Sequence, residues 1–372
     1  MSASNRHFLS RKLVYLLVVT ASAHCGGMLL AATEGAKGIT IEPSVAPMSA
    51  AQVSAEKMDS TTAAGIFLGV NKFDTETLAT LTYAVDDAID LAFLFAEDLK
   101  LIYPSNIFLA LGGTPTKEAS EKRLKILLEH GATRTAATHT EFYKLLHKAP
   151  RLTRGPGLLV IHISSHGFDE NGKAYVMLQD SDLTMLADTG VPLTSIEHAM
   201  GTGERSGRAA RGLLLIDACR SKATQPPKSA KGGNTLPYAA PEAFATPFLA
   251  AKGQATLSAA DKDHYSYEDA EFQQGVFTHF IIEGLKGNVP GDASGLIRLG
   301  DLASWVSDQV QNHTRSKEQP QVIRFSWGEN ARYIPLAYDA TKDMKDLQQR
   351  KDKAVGLLLN AMHNQSNRRL LS

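Results

Sequence analysis

Two uninterrupted apolar runs, each ending in a chemically reactive residue, constrain this chain more than any other feature. Leu158–Gly167 reads LLVIHISSHG, and Gly212–Ser221 reads GLLLIDACRS. Apolar runs without alternation are what strands buried on both faces require, and such strands belong to parallel sheets covered by helices. The first run ends at His166-Gly167 and the second at Asp217-Ala218-Cys219. In an open α/β sheet, ligands bind in the crevice beyond the carboxyl ends of the strands. A cysteine nucleophile needs a nearby base to hold it ionised. Two neighbouring strands that bring a thiol and an imidazole to one edge would meet that need.

The remaining pattern supplies the layers around these strands. Further short apolar runs predict strands at Gly65–Asn71, Asn106–Leu111, Ala255–Ala259 and, as the final strand, Val322–Phe325. Apolar residues at helical spacing predict helices over Tyr83–Lys100, Thr116–His130, Leu193–Met200, Gly275–Gly287 and Leu299–Thr314. Asn171-Gly172 between two short runs signals a hairpin with Ala174–Leu178 as its returning arm. Strands alternating with helices predict an α/β fold: a mostly parallel sheet with helices on both faces.

Composition closes off other classes. A hydrophobic content of 43% and a charged content of 21% allow a full core. Lys and Arg balance Asp and Glu at 39 each, so the clustered basic excess of a nucleic-acid binder is missing. Two cysteines, Cys25 and Cys219, cannot build a disulfide framework or a zinc cage. Residues 1–32 carry a basic start (Arg6, His7, Arg11, Lys12) and the apolar run Leu13–Ala23, with Ala21-Ser22-Ala23 as a cleavage site. This pattern predicts an exported protein, periplasmic or extracellular. An uncleaved membrane anchor and lipid attachment at Cys25 are the alternatives. Residues 33–62, rich in Ala, Ser, Thr, Glu and Pro, read as a flexible linker. The domain then spans 63–335, and 336–372 form a charged extension with one apolar helical stripe.

Taken singly, Cys219 reads as a small buried apolar residue and His166 as a turn histidine. Their placement at the ends of two such strands favours chemistry. The pair Ser-His-Gly and Asp-Ala-Cys-Arg-Ser resembles the caspase-like cysteine peptidases, whose histidine precedes the cysteine by a comparable distance. TYAVDDAIDLAFLF resembles that family's first helix, and GVFTHFIIEGLKGNVP with QPQVIRF its small-subunit portion. The likeness covers roughly residues 63–330 and is closest to the metacaspases and their bacterial relatives. It implies a caspase-like three-layer α/β/α sandwich around a mostly parallel six-stranded sheet, and a cysteine endopeptidase acting on proteins or peptides. His166 is then general base and acid, and Cys219 the nucleophile. The N–H groups of Gly167 and Cys219 form the oxyanion hole. A monomer is implied as well.

Side chains alternate along a strand, so Asp217 and Cys219 are expected on one face, with a carboxylate beside the scissile bond. That suits a substrate with Arg or Lys at the cleavage site. By resemblance, Asp87 matches the second acidic pocket residue and Ser164 the pocket serine, whereas Asp86 reads as a helix-start acid. His162 shares the face of Ser164 but lies deeper, and is expected to be a hydrogen-bonded core histidine. Ser258–Glu268 lines a rim of the groove by likeness alone. Asp169, Glu170, Asp180 and Asp182 gather after His166, where many metacaspases bind calcium. They lack calcium-loop spacing, so solvated turn acids are the simpler reading and no cofactor is otherwise expected. Lys222, Lys228 and Lys231 lie in the long loop Ser221–Pro247 as candidates for self-cleavage. A catalytically silent caspase-fold adaptor and an Asp-specific caspase are the competing functions.

Overall fold

In the computed structural model the described residues are 60–154, 157–205, 211–222, 253–260, 266–291, 295–318, 320–328 and 331–338. The leader, nearly all of the linker, Lys228, Lys231 and all but the first three residues of the C-terminal extension lie outside them. The strands are β1 (Ala64–Val70), β2 (Ile107–Gly112), β3 (Thr133–Ala136), β4 (Leu158–Glu170), β5 (Lys173–Val176), β6 (Val191–Pro192), β7 (Arg211–Lys222), β8 (Gln254–Ser258), β9 (Glu268–Asp269), β10 (Gln274–Gly275), β11 (Leu296–Arg298), β12 (Arg324–Trp327) and β13 (Pro335–Tyr338). The helices are α1 (Ala84–Phe93), α2 (Glu118–Glu129), α3 (His139–Leu152), α4 (Leu186–Thr189), α5 (Leu193–Arg205), α6 (Val276–Glu283) and α7 (Leu299–Thr314).

The main sheet runs β12-β8-β7-β4-β1-β2-β3. From β8 to β3 all neighbours are parallel, and β12 closes one edge antiparallel. The expected sheet of six strands is therefore extended. Among the described residues nine strands pair, because β3 adds an edge and β5 and β6 join through the end of β4. β12 is not the last strand, since β13 follows and pairs with β11 in a separate ribbon. β3 and α3 have no counterpart in the sequence reading. β3 is half-exposed with no apolar run, whereas α3 carries Pro150 near its end and buries Phe142, Leu145, Leu146 and Ala149. The hairpin is as expected: Asn171 and Gly172 take φ of 55° and 77°, the left-handed pair that a two-residue turn requires.

Alternation splits the sheet into two faces. Val160, Leu213 and Leu215 pack with α1, α2, α6 and α7. Leu159, Ile161, Ile163, Leu214 and Ile216 pack with α3 and α5. Because β4 and β7 are central and covered on both sides, both faces of each strand are apolar. The chain reverses its direction of sheet growth between β1 and β4, the switch point where α/β sheets bind ligands. Loop 71–83 crosses that point and returns into α1.

Candidate active site

Beyond the last apolar residues of β4 and β7, the column facing α1 and α6 turns polar. Ser164, His166 and Asp217 continue it, and all three are buried. β4 and β7 are in register from Leu158↔Arg211 to Asp169↔Lys222, which sets Ser164 beside Asp217 and His166 beside Cys219. Neighbouring strands run about 4.8 Å apart, so the backbones bearing imidazole and thiol are immediate neighbours. Gly167 follows at the turn of β4 into its hairpin, opposite Val176 and in register with Arg220.

The state of His166 follows from its contacts. Its Nε2 donates to the Ala79 carbonyl at 2.8 Å, and a carbonyl can only accept, so the neutral ring carries its proton there. The lone pair then belongs to Nδ1, the nitrogen of a base. Burial lowers the pKa of His166, and the bond to Ala79 partly opposes that shift. Phe73 stacks on the ring at 5.2 Å and Phe168 lies 6.2 Å away. Both Ala79 and Phe73 belong to loop 71–83, which Asn71 braces by accepting from Val85 N–H and donating to the Thr82 and Thr114 carbonyls.

Three carboxylates converge one step further along the same face. Asp87, in the first turn of α1, accepts from Ser164 Oγ at 3.1 Å and from Gly275 N–H at 3.1 Å. Asp217 accepts from Ser266 Oγ and Thr278 Oγ1, each at 2.7 Å, and from Thr278 N–H at 3.3 Å. Glu268 accepts from Tyr83 N–H at 2.7 Å and from Thr82 N–H, on the N-terminal side of α1. Gly275, the β10 partner of Glu268, lies between the other two: a Cβ there would fall 2.4 Å from Asp217 Oδ2 and 3.0 Å from Asp87 Oδ2. Burial raises the pKa of Asp87 well above the usual carboxylate range, reinforced by the charges of Asp217 and Glu268 and countered by Gly275 and Lys117. Burial also raises Asp217 against its Ser266 and Thr278 bonds. Glu268 is raised by burial against its Tyr83 and Thr82 bonds, with Asp217 adding to the rise.

Asp90, one turn along α1, shows what a structural acid looks like here. It is buried too, yet it pairs with Lys117 and Arg123 and accepts from Ser120 and Gln274. Among the described residues Asp87, Asp217 and Glu268 make no ion pair. Asp87 and Asp217 are buried and Glu268 is half-buried. Buried charges without counter-ions are costly, so the three together suit a cation that arrives from outside.

Of the sequence-predicted site residues, Asp87, Ser164, His166 and Asp217 thus come together with the backbone of Cys219 beside them. Lys228 and Lys231 lie outside the described residues, and further residues join the group. Glu268, Ser266, Thr278, Gly275 and Ala79 were not singled out. Glu268 and Ser266 lie in or at the end of the stretch expected to form a rim, but hairpin β9–β10 is too short for a strand pattern to signal. Asp86 is more than a helix-start acid: wholly buried, it holds Thr116 N–H and Oγ1 and Lys117 N–H ahead of α2. His162 is in the core as expected but is not hydrogen-bonded. Neither ring nitrogen has a partner among the described residues, and burial lowers its pKa to about 3. The four acids after His166 do not gather. Asp169 bonds Gly172 N–H, Asp180 bonds His139 N–H and Asp182 bonds Thr184 N–H. Among the described residues no group of three or more His, Cys, Asp or Glu is placed to hold a metal ion.

Two solved structures align with much of the chain. Caspase-1 from Spodoptera frugiperda aligns over 77% of this chain and 94% of its own at 14% identity, with a TM-score of 0.46. A Geobacter sulfurreducens protein aligns over 74% of this chain and 99% of its own at 15% identity, with the same TM-score of 0.46. No curated protein matches the sequence. The caspase-domain family model matches residues 64–328, the whole sheet from β1 to β12 with the histidine, the cysteine and the three acids inside it. The chain belongs to the caspase-domain family of cysteine peptidases.

Proposed function

We propose that this chain is a cysteine endopeptidase that cuts after Arg or Lys. The observation that carries the reading is the carboxylate trio beside the register-paired His166 and Cys219: Asp87 and Asp217 are buried, Glu268 is half-buried, and none of the three has a counter-ion among the described residues. Nδ1 of His166 takes the thiol proton, and the sulfur of Cys219 bonds to the scissile carbonyl carbon. Gly167 and Cys219 N–H groups hold the oxyanion, a stabilisation worth about 3–4 kcal/mol per donor. The imidazolium returns its proton to the departing amine, and water then cleaves the thioester. A guanidinium or ammonium of the substrate pairs with the carboxylates, with Ser164 orienting Asp87.

The test offers fluorogenic Arg, Lys and Asp peptides to the wild type and to Cys219→Ala, with and without calcium. Arg and Lys peptides are expected to be turned over by the wild type alone. Turnover of the Asp peptide in their place points to an Asp-specific caspase, and no thiol-dependent turnover on any peptide points to a silent adaptor. The proposal extends to self-cleavage after Lys222, Lys228 or Lys231 and to export by the N-terminal segment. An intact, fully active chain with all three lysines changed to Gln removes the first extension.

A further inference from the structure

We infer that the cleft between α3 and α5 is a second binding site, shaped for a small phosphate monoester. It lies on the sheet face opposite the carboxylate trio, has a volume of about 390 Å³, and opens to solvent, with His147, Arg151, Thr194 and His198 exposed along its rim. Tyr143, His147 and Arg151 follow one stripe of α3, and Thr194, Ser195 and His198 face them from α5. Leu146, Pro150 and Ala199 form an apolar floor. Tyr143 donates to Ser195 Oγ at 3.2 Å and so links the two walls.

The charge of the lining is one-sided. It holds an arginine, two histidines and three hydroxyls but no carboxylate, and Arg151 makes no ion pair among the described residues. Glu141 and Glu197 lie off the lining, and Glu141 pairs with Lys144. An arginine offers a planar fork that phosphate oxygens match, and the imidazoles and hydroxyls supply more donors than a lone carboxylate can use. The apolar floor has room for the ester's hydrocarbon part. This site is independent of the peptidase reading, since it shares no residue with it.

Calorimetric titration of the full chain with phenyl phosphate tests the inference, with inorganic phosphate and benzoate as comparisons. Saturable one-to-one binding of phenyl phosphate is expected, tighter than either comparison. Arg151→Gln and the double variant His147→Gln, His198→Gln should each weaken it at least tenfold while keeping the wild-type unfolding temperature. Absence of saturable binding into the millimolar range, or unchanged affinity in folded Arg151→Gln, overturns the site. Inorganic phosphate binding as tightly as the ester overturns the assignment of an ester.

Discussion

Gly275→Ala tests the carboxylate trio without removing any of its charges. Gly275 sits at φ −60° and ψ 134°, which alanine adopts freely, so the variant acts through space alone. The new Cβ would lie 2.4 Å from Asp217 Oδ2 and 3.2 Å from its Cγ, so the carboxylate must move by about 1 Å to regain van der Waals contact. That oxygen is the one held by Thr278 through its hydroxyl at 2.7 Å and its N–H at 3.3 Å. Hydrogen bonds to a charged group are worth about 1.5–3 kcal/mol each, so forfeiting this pair and misplacing the acid should cost about 3 kcal/mol in transition-state binding. This corresponds to roughly a 100-fold fall in kcat/KM on an arginine peptide. Steady-state kinetics on the two proteins, with thermal unfolding as a check on folding, measures it. Thr278→Val removes the same hydroxyl bond without adding volume, and should cost about tenfold. A folded Gly275→Ala enzyme retaining more than half of the wild-type kcat/KM would refute the placement of Asp217 against the substrate cation.

Other outcomes follow from the same contacts. His162→Leu should stabilise the protein, because two buried nitrogens without partners are replaced by a methyl-bearing chain of similar size. With a folded pKa of about 3 against 6.5 unfolded, His162 withdraws stability as pH falls below 6.5, about 2 kcal/mol by pH 5. The gap in unfolding temperature between variant and wild type should therefore widen from pH 7 to pH 5. The β9–β10 hairpin, which carries Glu268 and Gly275, is tied down by His313 Nε2 to Asp269 at 3.0 Å. His313→Phe keeps the ring contacts to Phe272 and Phe280 but loses that bond, and should raise KM several-fold with kcat unchanged. KM for arginine peptides should climb on acidification, because the raised pKa values of Asp87, Asp217 and Glu268 let them take up protons early and a neutral carboxyl attracts no cation. A KM flat from pH 8 to pH 5.5 would count against the trio as the cation site.

The central strands were readable because burial on both faces leaves no polar alternation, and β4 and β7 advertise this over Leu158–Ile163 and Leu213–Ile216. Their register was not. Asp217 is expected beside the chemistry from alternation alone, but its pairing with Ser164 needs β4 and β7 to be neighbours in step. Asp86 and Asp87 show the limit more sharply. Both stand in the first turn of α1, and a one-residue difference, about 100° around the helix, sends one to brace Thr116 and the other to Gly275. α3 was missed although Thr138 caps it by accepting from Glu141 N–H, a capping signal that Pro150 and the polar run before it obscured. Glu268 escaped because its role depends on contacts with Thr82 and Tyr83, far away in the chain, for which no local pattern exists.

The trio also makes a prediction about stability that separates a binding site from a structural network. A carboxylate whose folded pKa is raised above its unfolded value favours folding below the unfolded pKa, and that contribution is lost as pH rises through the folded pKa. At neutral pH Asp87 is therefore a liability to the fold, since burial and the neighbouring charges of Asp217 and Glu268 all oppose its ionisation. Asp87→Asn keeps the shape and an oxygen able to accept from Gly275 N–H and Ser164 Oγ, so it should raise the unfolding temperature at pH 7.5. The gain should shrink as pH is lowered, because the wild-type carboxyl is then neutral as well. The same variant should lose most of its turnover of arginine peptides. Had the acid been there to hold the fold, as Asp90 is with its two cations, neutralising it would lower stability. A drop in unfolding temperature for Asp87→Asn at pH 7.5 would therefore assign Asp87 to the scaffold and leave the cation preference without its second carboxylate.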